Sequence, residues 1–128
     1  MNKKIFFLSH PYSPQDGSHL YSQVGRDQVQ ENVNNSIEIT NELLDKGFNI
    51  FNPLTHSHSL DEFYQRASEF WYDLDLLFLE RFDGIIMAPG WESSKGCKKE
   101  FQFVITNIIR TNFVFEILFY ETIMREET

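Results

Sequence analysis

The sequence predicts one α/β domain built on a parallel sheet, and two patterns support that prediction. Short, continuous apolar runs such as Ile5–Leu8 suit strands that are buried on both faces of a sheet. These runs alternate with longer amphipathic segments, an order that is typical of right-handed crossovers. The expected fold is therefore Rossmann-like, in the flavodoxin-like arrangement, with about four to five strands and helices on both faces. The domain is expected over residues 1–120, followed by a polar C-terminal tail at 121–128.

The individual elements follow from apolar spacing and from turn residues. Gly47 stands where the C-terminal cap of a helix belongs, and Asp83 with Gly84 closes a later helix. The predicted strands are Ile5–Leu8, Phe48–Phe51, Ile85–Ala88 and Phe113–Phe119. The predicted helices are about Asp27–Lys46, residues 61–81 with a break near Ala67, and a last helix whose apolar face is Phe101, Val104, Ile105, Ile108 and Ile109.

Charge and composition exclude several classes of function. The formal net charge is −8, and the sequence has no Lys/Arg cluster of the kind that neutralises nucleic-acid phosphates. No apolar run reaches the roughly 18 residues of a transmembrane helix, and no signal peptide is visible. The single cysteine, Cys97, excludes an intramolecular disulfide and fits a reducing compartment. We therefore expect a cytoplasmic protein that binds a small molecule, and neither DNA, RNA nor a membrane.

Three polar loops are expected to converge at one edge of the sheet. They run over Ser9–Ser18, Pro53–Leu60 and Pro89–Gly96, each directly after a predicted strand. All three contain more Ser, His, Pro and Gly than a turn needs. Because ligands of open parallel sheets bind beyond the C-terminal ends of the strands, this edge is the predicted binding site.

The third loop leads into a helix that carries two kinds of candidate site residue. Ser94, Gly96 and the backbone N–H groups that follow form an anion-binding helix N-terminus, or Ser94 is a plain N-cap. Glu100 lies in the first turn or so of this helix, where the helix dipole is expected to keep its carboxylate ionised. The alternative for Glu100 is an acid that only stabilises the helix.

The other chemical side chains have competing interpretations. Asp75, on the preceding helix, is a candidate acid, with Asp73 as its competitor and a solvated helix residue as the alternative. His56 and His58 are interpreted as polar loop or pocket residues, because no third ligand with the spacing of a metal site accompanies them. Cys97 is interpreted as a small packing residue, because nothing in the sequence marks a partner base for its thiol.

Taken together, the order and spacing of these segments resemble the nucleoside 2-deoxyribosyltransferase superfamily. Within it they resemble a small branch found in bacteria and phages, the DUF1937-type proteins. The resemblance covers roughly residues 4–119. It is carried by residues 7–13, Arg26, residues 47–58, 70–75, Asp83 and 90–100.

The resemblance implies an activity and a set of roles. Members of the superfamily cleave the N-glycosidic bond of deoxynucleosides or of their 5′-monophosphates, and either transfer the sugar to another base or hydrolyse it. By resemblance Glu100 is the nucleophile, Asp75 is the acid that assists departure of the base, and Tyr12 supports the nucleophile. Ser94 resembles the serine that holds the 5′-phosphate. The expected substrate contacts are Ser9, His10, Pro11, Arg26, His56, His58, Trp71, Gly90, Trp91, Ser94 and Gly96.

Three functions are compatible with these residues. The resemblance favours an N-glycosidase or 2-deoxyribosyltransferase that needs no cofactor or metal and acts on a nucleoside or nucleotide. The alternative is a non-catalytic protein that sequesters a nucleotide or a nucleotide-derived signal, and the third function is a partner-binding domain whose site has decayed. The resemblance and the abundance of aromatic residues favour a homodimer or a higher homo-oligomer.

Overall fold

The structure is a computed structural model that describes residues 3–14, 19–108 and 114–126. Its strands are β1 (Ile5–Ser9), β2 (Asn49–Phe51), β3 (Gly84–Met87) and β4 (Glu116–Phe119). Its α-helices are α1 (Gln23–Asp45), α2 (Pro53–Phe63), α3 (Ser68–Leu79), α4 (Lys95–Phe103) and α5 (Tyr120–Arg125).

The four strands form one parallel sheet in the order β2-β1-β3-β4, which confirms the predicted α/β fold. The chain moves from β1 outward to β2 and then returns across β1 to β3. The direction of winding therefore reverses between β1 and β3, which pair from Phe6 with Gly84 to Ser9 with Met87. A reversal of this kind leaves a crevice at the C-terminal ends of the two strands, and ligands of open α/β sheets bind there.

Different helices cover the two faces of the sheet, because alternate side chains of each strand point in opposite directions. On one face Phe7 and Ile85 pack with Leu79 of α3 and with residues of α4. On the other face Phe6 and Ile86 pack with residues of α1 and α5. This arrangement places the loops that follow β1 and β3 between the two helical layers.

The long helix α1 begins four residues earlier than the spacing of its apolar residues predicts. Ser22 caps it by accepting a hydrogen bond from the N–H of Gly25 at 3.0 Å. The first turn is polar, apart from Val24, which is exposed, so apolar periodicity does not reveal it. At the other end Gly47 has a left-handed backbone with φ of 95°, and the N–H of Phe48 bonds to the carbonyl of Leu43. The predicted glycine cap is therefore confirmed.

The second loop predicted from the sequence is instead the helix α2. Pro53 occupies its first turn, where proline costs no hydrogen bond and its fixed φ suits a helix. Asn52 caps the helix by accepting from the N–H of Leu54 at 2.9 Å and from the N–H of Thr55 at 3.4 Å. The prediction of a loop at Pro53–Leu60 is wrong because Pro53 starts a helix here as well as ending a strand. The predicted break near Ala67 is confirmed, since α2 ends at Phe63 and α3 begins at Ser68.

The C-terminal part differs from the prediction in three details. After α4 the chain continues as a π-helix over Val104–Ile108, and Ile109 lies outside the described residues. The last strand is Glu116–Phe119, so the prediction of a strand at Val114 and Phe115 is wrong, and Phe113 lies outside the described residues. The segment expected as a polar tail begins with α5, and Ile123 of α5 packs against one face of the sheet. Within the three described ranges, every helix is too short or too polar to cross a membrane.

Gly84 is the position in the sheet that tolerates a side chain least. A Cβ atom there would lie 2.5 Å from the buried ring of Phe6 and 2.7 Å from the backbone oxygen of Glu116. We expect Gly84→Ala to lower the free energy of unfolding by about 1–3 kcal/mol, because the added atom overpacks the sheet centre. Urea unfolding measures this. Gly96→Ala is the control, since the nearest atom to its new Cβ would be 4.0 Å away; equal effects of the two substitutions would contradict the packing described.

Candidate functional site

A cleft of about 560 Å³ opens at the C-terminal ends of β1 and β3. Its walls are the segment after β1, the facing sides of α2 and α3, and the start of α4. The predicted convergence of the three segments is therefore seen, although the second of them is a helix. Of the predicted site residues, those that line this cleft are His10, Tyr12, Trp71, Asp75, Ser94, Gly96 and Glu100.

Glu100 of α4 lies at the bottom of the cleft and is only 7% exposed. Its Oε1 accepts a hydrogen bond of 2.7 Å from the hydroxyl of Ser9, the last residue of β1. Glu100 is the sixth residue of α4, past the first turn, so the helix dipole acts on it only weakly. The bond to Ser9 joins the candidate nucleophile to the central strand of the sheet.

Asp75 lies on α3 and faces the same cleft. Its Oδ1 is buried and has no hydrogen-bond partner among the described residues. A buried carboxylate oxygen without a donor disfavours the ionised form, so a proton is easily retained there. Asp73, its competitor in the sequence, is exposed and is not among the described residues that line the cleft.

The two carboxyl groups of the cleft resist ionisation. Burial raises the pKa of Asp75 to about 7. Burial, and then the negative charge of Asp75, raises the pKa of Glu100 to about 8, and the hydrogen bond from Ser9 opposes this rise. The expectation that the start of the helix keeps Glu100 ionised is therefore wrong for the free cleft. Two coupled groups of this kind titrate as a pair and hold about one proton between them near neutral pH.

The N-terminus of α4 forms another wall of the cleft. Ser94 is its N-cap, and the Ser94 oxygen accepts from the N–H of Cys97 at 3.2 Å. Capping uses the oxygen as an acceptor, so the cap bond does not itself occupy the hydroxyl hydrogen. The two interpretations of Ser94, cap and ligand contact, are thus compatible. Lys95 and Gly96, in the first turn, also line the cleft.

His10 and Tyr12 extend from the segment after β1. The Nδ1 of His10 donates to the carbonyl of Pro11 at 2.8 Å, and burial lowers the pKa of His10, so the ring is neutral and its Nε2 is an acceptor. The hydroxyl of Tyr12 lies 3.0 Å from Nδ1 of His58, whose Nε2 lies 2.9 Å from Glu62. The Tyr12 hydroxyl is therefore hydrogen-bonded to His58, and the hydrogen bond that Glu100 accepts comes from Ser9.

Seven of the predicted contact residues are not among the described residues that line the cleft: Ser9, Pro11, Arg26, His56, His58, Gly90 and Trp91. Arg26 and His58 line a smaller neighbouring cavity of about 240 Å³, which shares Tyr12 with the cleft. His56 is exposed and contacts the rings of Phe51 and Phe78 at centroid distances of 5.7 and 5.4 Å. The ring of Trp91 packs on Phe101 and Phe119 within the core.

Pro11 and Gly90 form a backbone junction near the cleft. Gly90 has a left-handed backbone with φ of 85°, and a Cβ atom on it would lie 3.7 Å from the ring of Pro11. Neither residue is among the described residues that line the cleft. They shape the turns after β1 and β3.

Asp61 of α2 is a site residue that sequence reasoning missed. It is 3% exposed and accepts hydrogen bonds from the hydroxyl of Tyr21 at 2.8 Å, Nε1 of Trp71 at 2.7 Å and the backbone N–H of Arg66 at 3.2 Å. These bonds fix the indole of Trp71 as a wall of the cleft. The two side-chain donors, Tyr21 and Trp71, are not at any regular helical or strand spacing from Asp61, so no local pattern marks Asp61 as important.

Three cationic side chains around the cleft were also missed. Arg66, Lys95 and Lys99 all line it. The guanidinium of Arg66 lies 5.7 Å from the ring of Trp71, and the ammonium of Lys99 lies 5.2 Å from the ring of Tyr72. Lys95 and Lys99 are four residues apart, but Arg66 lies far from them in the sequence, so the three side chains do not stand out as a group in an acidic chain. Together they give the cleft a positive rim suited to an anionic ligand.

Among the described residues no group of three or more His, Cys, Asp or Glu side chains is placed to hold an ion. Cys97 is buried in the core, where burial raises the pKa of its thiol to about 12, in agreement with its interpretation as a packing residue.

Comparison with known families gives one match. Residues 4–116 match the profile of DUF1937, a domain of unknown function. This supports the DUF1937-type part of the resemblance, and the wider resemblance to nucleoside 2-deoxyribosyltransferases stays a prediction. No protein with curated annotation was found to match the chain.

The buried carboxyl pair predicts how stability varies with pH. The ordinary pKa values are 3.8 for Asp75 and 4.5 for Glu100, against about 7 and about 8 in the folded protein. The folded state thus binds protons more tightly, so the free energy of unfolding falls as the pH rises between these values. We expect Asp75→Asn to flatten this fall and to exceed the wild type in stability at pH of about 8 by about 1–3 kcal/mol.

Urea unfolding across this pH range measures the effect. Asp73→Asn is the matched control, because Asp73 is an exposed aspartate on the same helix. Parallel curves for Asp75→Asn and the wild type would contradict the raised pKa of Asp75.

Proposed function

The chain belongs to the DUF1937 family, and we propose that it cleaves the N-glycosidic bond of a deoxynucleoside 5′-monophosphate or a related nucleoside. The observation that carries this proposal is the buried pair of Asp75 and Glu100, which face one cleft from two different helices. Two carboxyl groups that share a proton supply both an acid and a nucleophile, the two groups that glycoside cleavage requires.

The first step divides the work between the two groups. As the bond between C1′ and the base nitrogen breaks, its electron pair goes to the base and positive charge develops on the sugar. Ionised Glu100 stabilises that charge and forms a bond to C1′, while Asp75 gives its proton to the departing base. The developing positive charge favours the microstate in which the proton resides on Asp75, although the free pair is coupled.

The second step reverses the role of Asp75. A water molecule, or a nitrogen of a second base, attacks C1′ and displaces Glu100, and ionised Asp75 accepts the proton of the attacking group. The pair then holds one proton again. With water the reaction is hydrolysis, and with a base it is 2-deoxyribosyl transfer.

The N-terminal end of α4 favours a phosphorylated substrate. Ser94, Lys95 and Gly96 at the start of α4 line the cleft, and helix N-termini bind phosphate. In a chain with a net charge of −8, a local cationic rim offsets the repulsion of an anionic ligand. The side chain of Trp71, held by Asp61, offers a flat apolar surface for a base or a sugar.

A second function rests on the raised pKa of Glu100. A neutral Glu100 is a poor nucleophile, so the cleft also suits a protein that sequesters a nucleotide without cleaving it. The homo-oligomeric state and the cytoplasmic location expected from the sequence stay predictions under either function.

We expect Glu100→Gln and Asp75→Asn to affect base release in different ways. Purified protein is incubated with deoxynucleosides and their 5′-monophosphates, and free base is measured by chromatography. The rate of base release falls more than about 10³-fold in Glu100→Gln for every substrate, because nothing replaces the nucleophile. In Asp75→Asn the rate falls about 10²–10⁴-fold with bases that need protonation. It falls much less with bases that leave readily as anions.

Glu92→Gln, an exposed glutamate in the turn before α4, is the matched control and is expected to retain full activity. Turnover retained in Glu100→Gln would exclude the proposed mechanism. Recovery of intact nucleotide bound to the wild-type protein, with no free base, would support sequestration instead.

Substitution of Ser94 separates phosphate binding from helix capping. Ser94→Asp keeps an oxygen that caps α4 but removes the hydroxyl donor and adds negative charge. We expect it to raise KM for a 5′-monophosphate by about 10-fold or more and to leave KM for the matching nucleoside nearly unchanged. Equal changes for both substrates would show that Ser94 does not contact the phosphate.

A further inference from the structure

We propose that Ser9 is a positioning residue for Glu100, which holds one carboxylate oxygen at the bottom of the cleft and leaves the other to face the ligand. This inference rests on the proposed function for its catalytic consequence only. The geometry that carries it, the buried bond between β1 and α4, is independent of any substrate.

Ser9 is fixed more rigidly than a serine in a loop would be. It is 0% exposed, and it pairs with Met87 in the centre of the sheet. Its carbonyl accepts from the N–H of Ala88 at 2.9 Å, so the backbone of Ser9 is tied to β3 at the point where the cleft begins. The direction of its hydroxyl is therefore set by the sheet and does not depend on a ligand.

The hydroxyl of Ser9 can donate one hydrogen bond, and it donates that bond to Glu100. A serine O–H donates a single hydrogen bond, and this one spans 2.7 Å to Oε1 of Glu100. Cys97 is close enough to Ser9 for the hydroxyl to affect its thiol, but burial raises the pKa of that thiol to about 12, so no thiolate competes. A buried bond of this kind orients the carboxylate and stabilises its ionised form.

The other titratable groups near Glu100 do not supply this donor. Asp75 and Tyr72 approach from α3, and the negative charge of Asp75 disfavours ionisation of Glu100. His10 lines the cleft after β1, and its Nδ1 proton is given to the carbonyl of Pro11. Lys99 lines the cleft from α4, with its ammonium over the ring of Tyr72. Among the described residues, Ser9 is thus the group that opposes the rise in the pKa of Glu100 caused by burial.

The test measures the titration of Glu100 directly, without a substrate. Carbon-13 is introduced into the glutamate carboxyl groups of the full chain, and the Glu100 signal is identified by its loss in Glu100→Gln. We expect Ser9→Ala to raise the titration midpoint of this signal by about one pH unit, because the ionised form loses a charge-assisted hydrogen bond. Ser9→Cys, with a similar size and a weaker donor, is expected to lie between Ser9→Ala and the wild type.

Ser36→Ala is the matched control. Ser36 is also a fully buried serine, and its hydroxyl donates to the carbonyl of Val33 within α1. This variant should leave the midpoint of Glu100 unchanged. An unchanged midpoint in both Ser9→Ala and Ser9→Cys would overturn the inference, and where Ser9→Ala does not fold, Ser9→Cys alone decides it.

Activity then separates this inference from the proposed function. If the protein releases base, the acid limb of the pH profile of kcat should move upward in Ser9→Ala by about the same amount as the midpoint. A shifted midpoint in a protein that releases no base would leave the positioning role intact and refute the glycosidase.

Discussion

The burial of two carboxyl groups in one cleft is the constraint on which the site depends. Within the described part of the chain, Asp75 has an oxygen without a donor, and Glu100 accepts a buried hydrogen bond from Ser9. Such a pair costs folding free energy at neutral pH, because neither group ionises as easily as it does in the unfolded chain. Selection for stability alone would replace one of them with an apolar or amide side chain. An arrangement that is unfavourable for folding and concentrated in a cleft is typical of a functional site.

The fold explains how the pair is formed. The winding of the sheet reverses between β1 and β3, so the chain leaves both strands at one edge. Ser9 is the last residue of β1 and lies at that edge. The turn after β3 leads into α4, where Glu100 accepts the hydrogen bond of Ser9. The helix α3, which packs on the same face of the sheet as α4, adds Asp75. Each of the three residues comes from a different element, so the rigidity of the core fixes their geometry.

The sequence predicted the parts of this arrangement that local patterns encode. Apolar runs located the strands, and the capping chemistry of Gly47 and Ser94 located helix ends that the structure confirms. The prediction of a loop at Pro53 was wrong, because a proline after a strand is compatible with a loop and with a helix start equally well. Contacts between distant segments, such as the hydrogen bond from Tyr21 to Asp61, leave no local spacing and were missed. The electrostatics of Glu100 were predicted with the wrong sign, because burial depth depends on packing and outweighed the helix dipole.

The proposed bond between Glu100 and the sugar is tested most directly by the mass of the protein. The wild-type chain is incubated with a 2′-fluoro deoxynucleoside 5′-monophosphate, whose fluorine slows breakdown of a glycosyl intermediate, and is then quenched in acid. If Glu100 attacks C1′, the intact mass increases by one fluorinated sugar phosphate, the added group maps to the peptide that contains Glu100, and Glu100→Gln shows no increase. Release of free base from a protein of unchanged mass would contradict a nucleophilic role for Glu100.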